Sequence, residues 1–144
     1  MRTHIGLVSV IGLFASLAAA EAQAPPPATA GAAFDGTYRL VSSARVNQTF
    51  MTRKAQVGQC PDRRPGPLTV INGQARYKSA TGYRLRGTVG PQGELAMHLV
   101  APPNTSNAGS RPIDLIVSGT IDNSGTARAR QSGGSCSYDF VWQK

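Results

Sequence analysis

The chain has 144 residues, of which 40% are hydrophobic, 15% charged and 6% aromatic. Glycine and proline supply 16 and 10 of them, about 18% against a usual share near 12%, which excludes a long-helix or coiled-coil protein. The length excludes a multidomain enzyme. Lys and Arg number 15 against 7 Asp and Glu, a net charge of +8, so a partner held by charge would be an anion.

Met1-Arg2-Thr3-His4 is a short basic start, Ile5 to Ala20 is an uncharged apolar run, and Ala20-Glu21-Ala22 is an A-x-A site. This layout reads as a signal peptide over residues 1–22, cleaved after Ala22. The apolar run is short for a bilayer span, which needs roughly 20 residues, so no membrane span is expected after cleavage. Loss of Arg2 and Glu21 leaves the charge at +8. Residues 23–34 are rich in Pro, Ala and Gly, without periodicity, and read as a flexible tether. Residues 35–144 then form one domain. Export, periplasmic or fully secreted, places the chain in an oxidising compartment, where two cysteines most simply form one disulfide, Cys60–Cys136. No CxxC spacing marks a redox pair.

The body reads as consecutive hairpins. Gly36 to Val46 is a strand with Tyr38 and Leu40 inward. Residues 47–66 are ambiguous: Thr49 to Val57 suggests one further strand, and Cys60 to Pro67 is a loop because its prolines forbid a ladder. Leu68 and Val70 face in, Asn72-Gly73 is a type I′ hairpin signal, and Ala75 and Tyr77 return on the inner face. Tyr83, Leu85, Gly87 and Val89 share the next inner face, followed by Leu95, Met97 and Leu99. Residues 101–112 are a polar loop. Ile113, Leu115, Val117, Gly119 and Ile121 alternate with polar positions, Ala127 and Ala129 oppose Arg128 and Arg130, and Cys136, Tyr138, Phe140 and Trp142 line the last strand. The Gly-Thr-Val and Gly-Thr-Ile segments at 87–89 and 119–121 are recurring hairpin geometry rather than a repeat array. The expected fold is all-β: a single antiparallel up-and-down meander of about eight strands closing into a small barrel, or else a two-sheet β-sandwich with the same inner faces.

Phe34-Asp35-Gly36-Thr37-Tyr38, a cysteine ahead of the Leu68-Thr69-Val70 strand, the two Gly-Thr hairpins and Cys136-Ser137-Tyr138 carry a resemblance. Over residues 34–143 the chain resembles small uncharacterised exported β-rich proteins of Gram-negative bacteria. The resemblance implies the same fold and export, and it implies no activity. The eight-strand shape also looks like avidin-type biotin binders and small barrel inhibitors of secreted proteases. Avidin-type sites wall their ligand with several tryptophans, whereas this chain has only Trp142.

Catalytic candidates are few. His98 is the single histidine after residue 22 and reads as a surface residue. Asp35, Asp62 and Asp122 sit in turn contexts. Asp114 and Glu94 could pair across strands as glycosidase carboxylates do, although solvated surface charges are the simpler reading. One histidine and two oxidised cysteines make no zinc site, no loop has calcium spacing, and no cofactor is implied. The positive signal is a candidate anion-binding face of Arg76, Lys78, Arg84, Arg86, Arg128 and Arg130 on outward positions. Against it stands the view that such charges merely keep strand edges from aggregating. Aromatic residues have inward parity, so specific nucleic-acid binding is not expected. The sequence therefore reads as an exported, non-enzymatic binding or interaction domain, engaging a small ligand or an anionic envelope component. The alternative is an inhibitor or partner of a secreted enzyme, presenting residues 101–112 or 47–66. An unrecognised enzyme ranks last.

Overall fold

The computed structural model describes residues 30–101 and 113–144. Ten strands form among the described residues: β1 (Gly36–Arg45), β2 (Thr49–Met51), β3 (Val57–Gln59), β4 (Leu68–Ile71), β5 (Gln74–Lys78), β6 (Arg84–Val89), β7 (Glu94–Ala101), β8 (Ile113–Ile121), β9 (Thr126–Ser132) and β10 (Tyr138–Gln143). Eight of them close an antiparallel barrel in the order β1-β10-β9-β8-β7-β6-β5-β4, with β1 bonded to β4. The sandwich alternative is thereby excluded. The meander order follows from tight turns: Asn72 and Gly73 take φ of 51° and 69°, as a type I′ hairpin requires.

Closure falls to β1. Its first residues, Gly36 to Tyr38, pair with β4, and Arg39 to Arg45 pair with β10. A register shift between Leu40 and Ser42 leaves Val41 as a bulge, 64% exposed. Beyond it the parity flips, so that Ser43 lies opposite inward Phe140.

The core is the inner face that the alternation foretold. Trp142, Tyr38, Phe140, Leu68 and Leu85 are among its largest fully buried side chains. Phe140 and Trp142 lie 5.3 Å apart between ring centroids, and Tyr77 packs on Trp142 at 5.6 Å. The wall makes room with small residues: Trp142 faces Ala127, Phe140 faces Ala129, and Ala129 faces Gly119. A Cβ at Gly119 would collide with the carbonyl oxygen of Arg128 across the strand.

One end of the barrel is plugged. Ala32–Phe34 form a 3-10 turn, Phe34 is buried, and its carbonyl accepts the Tyr38 hydroxyl at 2.6 Å. The Asp35 carboxylate accepts the backbone N–H groups of Asn72 and Gly73. The segment read as a tether over 23–34 therefore ends in an ordered turn, because an aromatic at its last position has a core to enter. The expected leader, 1–22, and the tether up to residue 29 lie outside the described residues.

The single strand expected over Thr49–Val57 is instead a separate hairpin, β2 with β3, turning through Thr52 to Gln56. Its turn is set by Thr52, whose Oγ1 accepts the Gln56 N–H. Cys60 to Pro67 is irregular as expected and is fastened to the barrel by a disulfide and by hydrogen bonds. Cys60 is bonded to Cys136 with a Cα separation of 5.7 Å. The hydroxyls of Tyr138 and Ser43 donate to the carbonyls of Pro61 and Arg63, and the indole N–H of Trp142 donates to Gly66.

Replacing both cysteines by serine should lower unfolding free energy by about 4 kcal/mol on the chain-entropy estimate; urea denaturation of the two forms measures it. Phe34→Ala should cost about 3 kcal/mol as a buried aromatic truncation, read as a lower thermal midpoint.

Candidate functional site

Among the described residues, the end opposite the plug is open. The β5–β6 turn, the β9–β10 turn and the β1–β4 excursion meet there around a cleft of about 400 Å³. Of the loop expected over 101–112, residues 102–112 lie outside the described residues.

The floor of the cleft is apolar, made by Leu115, Phe140 and Tyr138 from the barrel wall. Phe50 of β2 and Tyr83 contribute from the rim. Gly58, opposite Phe50, has no Cβ, and the Phe50 ring occupies that space. The polar side chains of the lining are Gln59, Arg63, Ser79, Thr81, Gln131 and Ser135. Ser79 Oγ is engaged by Thr81 and by the Tyr83 N–H. Gln131 is buried and accepts the Tyr77 hydroxyl at 2.7 Å through Oε1, which leaves the amide NH2 as its donor. Burial raises the Tyr77 phenol well above its ordinary pKa, so it stays a neutral donor. Arg63 makes no ion pair among the described residues.

The sequence reading did not single out Gln131. Strand β9 runs on to Ser132, and Gln131 continues the inward parity of Ala127 and Ala129. That alternation was the available signal. Phe50 and Arg63 carried none, because their places depend on how an irregular segment folds back.

The six-residue basic face divides. Arg76 faces Arg86 and Lys78 faces Arg84 across β5 and β6, and all four are exposed. Arg128 and Arg130 stand on β9, separated from β6 by β7 and β8, so the structure brings four of the six together and sets two apart. Arg130 is held by a bidentate pair with Asp139, at 2.7 and 2.9 Å. The glycosidase pairing does not form: Glu94 lies opposite Thr120 while Asp114 lies opposite Val100, a separation of about 20 Å along the strand. Asp114 instead meets His98 at 2.6 Å on the exposed outer wall. Among the described residues, no group of three or more His, Cys, Asp or Glu could hold a metal ion.

Comparison with protein-family models, with curated proteins and with solved structures finds no match.

Stability should hold on a plateau and fall at both extremes of pH. Hydrogen bonds from Ser124 and Thr126 lower the Asp122 pKa, and Arg130 lowers that of Asp139. Their contribution is full above the unfolded value near 4 and is lost as pH falls through the lower folded values. Tyr77 and Tyr38 are raised, chiefly by burial. The stability they confer is full below the unfolded value near 10 and is lost as pH rises, because the unfolded phenols ionise first. Urea midpoints measured against pH should show both limbs, and Asp139→Asn should flatten the acid one.

Proposed function

We propose that this protein is a binding module that takes a small, largely apolar molecule carrying an anionic group into the open end of the barrel. One observation carries the reading: the barrel is plugged at one end by Phe34 and opens at the other into an apolar cleft of about 400 Å³. Cleft volumes of roughly 300–1,000 Å³ with few polar groups are typical of small-molecule sites. Leu115, Phe140 and Tyr83 would cover the apolar body. Arg63 would meet the anion, and the Gln131 amide would donate to an acceptor further in. The role proposed is binding rather than turnover, since the cleft offers orientation and desolvation, and among the described residues its lining pairs no nucleophile with a base. The compartment proposed is outside the cytoplasm. The disulfide is compatible with it, and the leader-like residues 1–22 add to it.

A second reading, partner or inhibitor of a secreted enzyme, is favoured by the β2–β3 hairpin. Met51 and Val57 face each other there, 65% and 64% exposed. The hairpin pairs with no barrel strand and is rooted at the disulfide. Apolar side chains in such a place suit protein contact.

The test uses an anionic naphthalene dye that fluoresces in apolar sites. The folded protein should bind one equivalent, and Leu115→Trp, which fills the cleft, should weaken binding at least tenfold. Arg63→Ala should weaken the anionic dye more than a neutral analogue. Equal binding by the parent and Leu115→Trp would overturn the cleft. Native mass spectrometry of gently purified protein should show a discrete adduct of a few hundred daltons.

A further inference from the structure

We propose that the outer face of β5 and β6 binds an acidic polysaccharide through Arg76, Lys78, Arg84 and Arg86. The site is separate from the cleft and does not depend on it. Register puts Arg76 opposite Arg86 and Lys78 opposite Arg84. Directly opposed residues stand about 5 Å apart across a ladder, and alternate residues about 7 Å apart along a strand. The four cations therefore outline a rectangle, and with Pro67 and Thr69 they line a groove of about 290 Å³.

Two like-charge pairs in alternate registers on one face repel each other, and among the described residues none of the four cations is in an ion pair. Among the described residues, the carboxylates in ion pairs serve Arg45, His98 and Arg130. His98, which lies opposite Arg86, engages Asp114 at 2.6 Å. Edge protection is the usual use of cations on a strand, but closure removes it here. Strand β5 is bonded to β4 and β6, and β6 to β5 and β7. An extended anion of matching spacing turns the repulsion into attraction, and three of the four cations are arginines, whose planar guanidinium forks onto carboxylate, phosphate and sulfate oxygens.

The chemistry of the face selects among polyanions. Its flanking aromatics, Tyr77 and Tyr83, turn to the barrel interior, so single-stranded bases find no stacking platform. Neither β5 nor β6 carries an exposed large hydrophobic side chain that would enter a bilayer. A sugar backbone bearing regular charges needs neither.

Heparin and polygalacturonate serve as sulfated and carboxylated probes, titrated calorimetrically against the full chain at low and moderate salt. Binding should weaken steeply with salt. The double variant Arg84→Glu/Arg86→Glu should bind at least tenfold more weakly with a shallower salt dependence. It places carboxylates opposite Lys78 and Arg76, so its thermal midpoint should not fall. Arg39→Glu/Arg128→Glu makes the same change in net charge on other strands and should keep most of the affinity. Equal losses in the two double variants, or no binding by the parent at low salt, would overturn the site. Tighter binding to single-stranded DNA or to anionic phosphatidylglycerol vesicles than to either polysaccharide would overturn the ligand class.

Discussion

Closure of the sheet by β1 is the constraint on which the rest depends. One strand must satisfy two partners, β4 at its start and β10 over its remainder. It manages this by bulging at Val41, which bends the strand and lets the barrel curve shut. Once shut, the eight strands have no free edge, so the inner face is a filled core and the two ends become the places where the interior meets solvent. Phe34 occupies one end. Among the described residues, the other opens into the cleft.

Strand β10 links that closure to the site. Its inward residues share the core, and their polar tips reach the Pro-rich segment ahead of β4. Tyr138 donates to Pro61, Trp142 to Gly66, and Cys136, just before the strand, is bonded to Cys60. An irregular stretch that could not hold itself is thereby fixed against the barrel and forms part of the cleft wall. Among the described residues, no buried side-chain polar atom lacks a partner. The aromatics thus fill the interior while their heteroatoms hold the rim.

The outer wall obeys a different logic. Asp139 neutralises Arg130 directly, and His98 holds Asp114, so charges on β7 to β10 are largely answered by neighbours. Among the described residues, those on β5 and β6 are not. That contrast, visible only when register is known, separates a structural ion pair from a set of cations available to an outside partner.

Much of this was legible in the sequence. Period-2 alternation named nearly every inward residue from Leu68 to Trp142, since each strand is apolar on one face and polar on the other. Asn72-Gly73 announced its hairpin, and the two cysteines their bond. The irregular stretch between β1 and β4 was not legible, because its shape comes from side chains reaching it across the barrel. Sequence alternation assigns a face but cannot say which strands are neighbours. Parity put Arg76 and Arg128 on the same outer surface, and only the strand order set them apart and brought Arg76 against Arg86. Likewise it marked Leu115 and Phe140 as core, and only closure, with one end plugged and the other open, made them the floor of a cleft.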